Sequence, residues 1–208
     1  MIEKLKDLCE KNGIFLSDDQ LKKFEIYLNM LSKWNRVYNL TSVRRKEEII
    51  TKHFFDSLTL VKLFEKEGIN VEGKKVADLG AGAGFPGVPV KIYYGEKIDL
   101  YLIESVGKKC IFLEMLKKEI SVDYKVICKR SEEVEERFDI VLSRATGETF
   151  DVMRWGKDIL KVGGYLIIMK GKKVEEELRP FTVSLRFEGY PERRYIVLKK
   201  ISEDGHTR

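Results

Sequence analysis

Two carboxylates and a run of alternating glycines are the parts of this sequence best suited to holding a small charged molecule. The stretch Val76-Ala77-Asp78-Leu79-Gly80-Ala81-Gly82-Ala83-Gly84-Phe85-Pro86-Gly87 reads as an apolar strand that closes on an acid and turns through glycines into a helix. Backbone without Cβ atoms, as at Gly80 and Gly82, folds tightly and can lie against a nucleotide-type ligand. Pro86 suits the first turn of the helix that follows, where a missing N–H is no loss. Glu104 ends a second apolar run, Leu100–Ile103, and an acid there can accept hydrogen bonds from both hydroxyls of a ribose. Arg130-Ser131-Glu132 follows a third run, where small Ser131 and the carboxylate of Glu132 can frame an adenine.

Charge narrows the kind of ligand. A nicotinamide dinucleotide needs glycines spaced G-x-G-x-x-G, with its pyrophosphate on the helix N-terminus. Here the glycines alternate strictly, although Gly82-Ala83-Gly84-Phe85-Pro86-Gly87 can mimic that spacing. Asp78 discriminates, because a carboxylate beside the loop opposes a pyrophosphate and suits a cationic or zwitterionic ligand. S-adenosylmethionine, with an ammonium, a sulfonium and no phosphate, fits. Asp78, Glu104 and Glu132 at successive strand ends therefore favour a methyltransferase pocket over a nicotinamide-binding oxidoreductase, which stays open as an alternative.

The substrate nucleophile would meet the methyl group after the fourth apolar run, at Ser143-Arg144-Ala145. No cysteine stands there to attack a pyrimidine C5, and no proline–aromatic set to handle an exocyclic base amine. A ring nitrogen with a free in-plane lone pair, such as guanine N7, needs neither, nor a general base; alignment and electrostatic support then supply most of the catalysis. Arg144 can bind the cofactor carboxylate, steady a base edge or anchor phosphate, or simply pair with Asp139 or Glu148. A methyltransferase of the same fold acting on a small molecule is the other open alternative.

These residues need elements to position them. Apolar runs Lys75–Leu79, Leu100–Ile103, Tyr124–Cys128, Asp139–Leu142 and Tyr165–Met169 alternate with helical stretches, which predicts an α/β, Rossmann-like fold with a mostly parallel sheet. Val183–Phe187 and Tyr195–Lys200, with a turn at Gly189-Tyr190-Pro191-Glu192, predict an antiparallel C-terminal hairpin at one edge. Before Gly73, apolar residues at Leu21, Phe24, Leu28, Leu31 and Trp34, and again at Ile50, Phe54, Leu58, Val61 and Phe64, predict two amphipathic helices. Ser17 or Asp18 can cap the first of them. The expected organisation is a helical cap over residues 1–72, a cofactor domain over 73–201 and a loose tail over 202–208. His53 and Asp56, spaced i, i+3, share a helical face and are expected to form a hydrogen-bonded pair locking the cap to the sheet, or else to touch ligand. Asn39 suits an Asx turn or a base-reading amide, and Lys170, ending the fifth run, an RNA phosphate or plain solvation.

Composition bounds the rest. The 208 residues carry a formal net charge of +5, and 13 basic against 9 acidic side chains fall in residues 151–208, with Lys172 and Lys173 among them. A basic face attracts phosphate backbones by releasing counterions, so nucleic acid is permitted, and lysines that merely solvate a surface look the same. Three widely spaced cysteines argue against a disulfide framework or a metal site, and Cys110 and Cys128 read as buried fillers. The charged N-terminus and the lack of a long uncharged run predict neither a secretion signal nor a membrane span, and so a cytoplasmic protein.

Taken together, Trp34-Asn35 with Asn39-Leu40-Thr41, His53 with Asp56-Ser57, the Asp78–Gly87 run, Arg130-Ser131-Glu132-Glu133, Ser143-Arg144-Ala145 and Lys170-Gly171 resemble the small-subunit ribosomal RNA guanine-N7 methyltransferase family, also called glucose-inhibited division protein B. The likeness runs from about residue 5 to residue 200, and its specific parts are Gly84-Phe85-Pro86-Gly87 and Ser143-Arg144-Ala145. It implies a class I methyltransferase fold and S-adenosylmethionine-dependent methylation of guanine N7 in 16S rRNA. The partner implied is that RNA or a small-subunit precursor, met by a monomer. It also implies cofactor contacts at Gly80, Phe85, the backbone around Ser131 and Glu132, and Arg144. Ser131 stands where the family often has alanine, a change that a backbone or shape contact survives.

Overall fold

The computed structural model describes residues 1–144, 148–204 and 206–208; Ala145 of the Ser143-Arg144-Ala145 motif lies outside the described residues. Seven strands form one sheet in the order β3-β2-β1-β4-β5-β7-β6. They are β1 Lys74–Leu79, β2 Ile98–Ile103, β3 Lys125–Ile127, β4 Phe138–Arg144, β5 Leu160–Lys170, β6 Thr182–Phe187 and β7 Tyr190–Lys199. The first five run parallel, and β7 runs antiparallel to both β5 and β6. The helices are α1 Glu3–Lys11, α2 Asp18–Tyr38, α3 Lys46–Ile49, α4 Asp56–Glu67, α5 Gly87–Tyr94, α6 Gly107–Glu119 and α7 Thr149–Asp158. No described helix is long and apolar enough to cross a membrane. The chain steps outward from β1 to β3, then returns to lay β4 on the other side of β1. That reversal opens a crevice at the carboxyl ends of β1 and β4, where ligands of open α/β sheets bind.

Side chains alternate across the strands and so divide the core in two. Val76, Leu100, Leu102, Ile140 and Leu142 face a large cluster that takes in α5, α6 and the N-terminal helices through residues such as Leu5, Phe24, Phe54 and Leu58. Ala77, Leu79, Ile103, Val141 and Ile168 face the opposite cluster, under α7 and the short turn that carries Leu178. α2 starts on a reciprocal capping box in which Ser17 accepts from the Gln20 N–H and Gln20 accepts from the Ser17 N–H. Asn39, left-handed at φ 50°, ends it.

Four local features differ from the sequence reading. The hairpin turns at Glu188-Gly189, with Gly189 at φ +73°, so Pro191 and Glu192 belong to β7; Pro191 sits where the β6–β7 register shifts and no ladder N–H is required. The segment expected to be a loose tail turns back on β7, with the Arg208 N–H donating to the Lys199 carbonyl at 3.0 Å. Cys110 is buried as expected, but it is bonded to Cys128, which is exposed and so is not the buried filler expected. They stand 18 residues apart in sequence, but the β2–α6–β3 crossover returns the chain and brings their Cα atoms within 5.9 Å. The fourth feature is a π-helical turn, Ile50–Phe55, between α3 and α4 where a single regular helix was expected.

That turn re-aims the polar residues of the cap. His53 and Asp56 do not bond to each other; both reach Arg144, at the end of β4. Asp56, only 2% exposed, accepts from Arg144 Nη1 at 3.3 Å, Arg193 Nη2 at 3.2 Å and the Tyr190 hydroxyl at 3.0 Å. Arg193 Nε adds an ion-pair contact of 2.7 Å, off the N–H direction. One carboxylate thus joins the cap, β4 and β7. Removing it leaves two guanidiniums facing each other in a poorly solvated seam. Asp56→Ala is expected to lower stability by about 3–5 kcal/mol, read by urea denaturation, with Asp56→Asn intermediate.

Candidate functional site

The glycine loop is shaped from below. Asp78, fully buried at the end of β1, accepts the Gly87 N–H on Oδ2 at 2.7 Å and so fixes the start of α5. A Cβ on Gly87 would come within 2.8 Å of that oxygen, which is why the approach requires glycine. Gly80 and Ala81 donate to the Ile103 carbonyl at 2.9 and 3.0 Å, tying the loop to the end of β2. Glu104, 7% exposed, completes the tie: Oε1 accepts from the Gly82 N–H at 2.9 Å and Oε2 from the Val106 N–H at 2.8 Å. Each carboxylate oxygen still has a lone pair for a ligand. At Gly82, φ is +57° and an added Cβ would meet nothing within 4 Å, so bare backbone faces open space there.

The cap grips the same loop from above. The Tyr27 hydroxyl donates to the Ala83 carbonyl at 2.5 Å, and its ring stacks on Phe85 at 5.3 Å between centroids. His53 also stacks on Phe85, at 4.5 Å, and the Arg144 guanidinium lies 5.3 Å from that ring's centroid. Arg144 Nη2 is 2.7 Å from His53 Nδ1, and Thr41 Oγ1 is 2.8 Å from His53 Nε2. A guanidinium can only donate, so Nδ1 must be the bare nitrogen and Nε2 carries the hydrogen offered to Thr41. Burial, and then the Arg144 charge, push the imidazole down to about 3, which keeps it neutral.

These pieces enclose a cleft of about 720 Å³ at the carboxyl edge of the sheet. The structure brings together Gly80, Gly82, Phe85, Glu104, Ser131, Glu132, Arg144 and His53 on its walls. Four sequence candidates lie off it. Asn39 accepts from Arg44 Nη2 at 2.5 Å in its helix-ending turn. The Lys170 ammonium is held by Thr149 at 2.7 Å and Glu175 at 3.2 Å. Lys172 and Lys173 are exposed and do not line the cleft.

Two readings of charge need correcting. Asp78 lies beneath the loop instead of facing the cleft, so its charge does not discriminate between ligands; burial pushes it up to about 7 and Oδ1 has no partner. Arg144 pairs with Asp56 and not with Asp139, which takes the Lys75 N–H. The sequence reading missed Thr41, Ser42, Lys109, Lys129 and Trp155 on the walls. Thr41 stands in the Asn39-Leu40-Thr41 motif, whereas Trp155, on a helix with an ordinary apolar stripe, gives no signal in sequence.

Comparison with known proteins follows from this geometry. The family described as GidB, rRNA small subunit methyltransferase G, matches residues 20–203. The chain belongs to that family. A ribosomal RNA small subunit methyltransferase G from Aquifex aeolicus (strain VF5) is 48% identical over 200 residues, 95% of this chain and 100% of its own length. The one from Desulfitobacterium hafniense (strain Y51) is 40% identical over 81% of this chain and 70% of its own length. Among solved structures, magnesium protoporphyrin IX methyltransferase from Synechocystis PCC 6803 aligns with TM-score 0.58 at 15% identity, over 89% of this chain and 98% of that one. The T. thermophilus 16S rRNA N2 G1207 methyltransferase gives 0.52 at 18% identity, over 70% and 43%. These likenesses are of fold, and the class I methyltransferase fold expected from sequence is the one found.

In this member of the methyltransferase G family, two buried groups should titrate in opposite senses. His53 has its folded value depressed from 6.5 to about 3, so the unfolded chain binds more protons between those limits and its contribution to stability grows as pH rises to 6.5. Asp78 is raised from 3.8 to about 7, so the folded chain binds the extra proton and stability falls as pH rises through that window. Relative to the parent, His53→Asn should lose ground and Asp78→Asn gain it as pH goes from 4 to 7. Denaturant melts across that range check the opposite slopes.

Proposed function

We propose that this protein transfers the methyl group of S-adenosylmethionine to guanine N7 in 16S rRNA of the small ribosomal subunit. We further propose that it works in the cytoplasm as a monomer, with residues 1–72 as the cap of a cofactor domain spanning residues 73–201. The observation that carries the reading is the meeting of the glycine loop and Glu104 in one cleft, in a chain of the rRNA small subunit methyltransferase G family. The residues fit the cofactor. Glu104 keeps lone pairs for the ribose hydroxyls, the open backbone at Gly82, with Gly80 beside it on the cleft wall, admits the amino-acid portion, and Ser131 with Glu132 borders the adenine. The bound cofactor supplies an electrophilic methyl on a sulfonium.

Guanine N7 has an in-plane lone pair and no proton to lose, so this site needs no general base. His53 agrees with that demand, being held neutral with Nδ1 committed to Arg144. Arg144 reaches the cleft on the same side as His53 and Phe85, where its fixed guanidinium can bind the cofactor carboxylate or a base edge. Substrate alignment and this electrostatic frame are then the protein's contribution to rate.

Labelled methyl transfer into small-subunit rRNA, followed by chain scission at alkali-sensitive N7-methylguanine, tests the reaction; label elsewhere on the base or on protein would overturn the reading. Glu104→Ala should weaken binding of S-adenosylhomocysteine by about 10–100-fold, the loss of a charge-assisted hydrogen bond of about 1.5–3 kcal/mol. Isothermal titration checks it, and unchanged affinity would remove Glu104 from the cofactor site.

A further inference from the structure

The cap loop beside the cleft carries charge and an aromatic ring that stand outside its walls. Arg36, Tyr38, Arg44 and Arg45 are all exposed, Tyr38 to 43%. None of these arginines makes an ion pair among the described residues. Glu48, the acid that feels Arg45, is turned to Lys52 at 2.7 Å. Tyr38 leans on Trp34 with centroids 5.3 Å apart, which holds its ring at the surface.

The bend bearing these side chains is rigidly built. Asn35, 3% exposed, spans it: Nδ2 donates to the Val43 carbonyl at 3.1 Å and Oδ1 accepts the Thr41 N–H at 2.9 Å. Leu40 is buried beneath it, and Thr41 passes the connection to His53 and so to Arg144. Thr41 and Ser42 line the cleft, and exposed Lys129 and Arg130 line it as well, from the loop after β3. Exposed like charges that no acid holds in an ion pair repel one another, so a fixed bend that carries them suits an anionic partner.

We propose that the bend from Arg36 to Arg45 is the docking surface for the single-stranded RNA segment that presents the target base. Arg36, Arg44 and Arg45 take backbone phosphates, which guanidinium groups bind in bidentate fashion, and Tyr38 stacks one unpaired flanking base. The strand is single because N7 must come out of the stack to reach the cleft. Lys172 and Lys173, off the cleft, are not the footprint. This rests on the reading of the protein as an RNA methyltransferase.

The test compares the parent, Arg44→Ala/Arg45→Ala, Tyr38→Ala, Tyr38→Phe and Lys172→Ala/Lys173→Ala. Binding to deproteinised small-subunit rRNA is followed across a salt series, with S-adenosylhomocysteine affinity measured in parallel. The arginine double variant should bind RNA at least tenfold more weakly and flatten the plot of log affinity against log salt by about 1.4, two contacts at about 0.7 each. Tyr38→Ala should weaken binding about tenfold with the salt slope kept, and Tyr38→Phe should restore it. Cofactor affinity should stay within twofold throughout. An unchanged slope in the arginine variant, an equal flattening in the lysine variant, or a parallel loss of cofactor affinity would overturn the docking surface. A parent enzyme that binds this RNA but transfers no methyl to it would instead overturn the methyltransferase reading, so the two failures are distinct.

Discussion

A carboxylate taken out of water gains most from cationic partners, and in this fold Asp56 draws them from two distant strands. Arg144 ends β4 at the mouth of the cleft, and Arg193 with Tyr190 comes from β7, the hairpin strand. The three cannot meet Asp56 unless the cap sits on the sheet in one orientation. The cost of leaving any of these charges unpaired in the seam makes that orientation specific. The placing of Arg144 against His53 above the glycine loop follows from this contact.

Arg144 then serves two surroundings at once. Its guanidinium donates to Asp56 and His53 and lies against Phe85, so its place in the cleft is fixed before any ligand arrives. Preorganised charge of this kind needs no reorganisation when a methyl group is transferred. His53, stacked on Phe85 and kept neutral, acts as a spacer that passes the position of Arg144 to Thr41 and to the basic bend beyond it. The π-helical turn at Ile50–Phe55 makes this possible, because a wider turn changes which way successive side chains point.

The acid under the loop works differently from the acid beside it. Asp78 and Glu104 both end strands and both bind glycine-loop N–H groups, yet one is sealed in and the other borders the cleft. Strand register explains the difference. Asp78 points to the face that packs under α5, whereas Glu104 follows the last residue of β2 and turns with the chain toward the opening. A sequence shows two acids at strand ends; only the pleat decides which of them meets solvent.

The order of strands and helices, the antiparallel hairpin and the glycine loop were legible because each rests on local pattern: period-two apolar runs, turn glycines, amphipathic stripes. Gly80, Gly82, Glu104, Ser131 and Glu132 were legible for the same reason, since a parallel sheet of this topology must bring its strand ends to one edge. Trp155 on the cleft wall, the Cys110–Cys128 bond, the tie of Lys170 to Glu175 and the convergence of His53 and Asp56 on Arg144 were not. Each depends on residues between 5 and 91 positions apart in sequence, or on which face of an element turns inward. The sequence by itself therefore determined the fold and the sheet edge at which the cleft opens. Only the tertiary structure decided which charges are free to meet a substrate, because pairing and burial are properties of the packed chain.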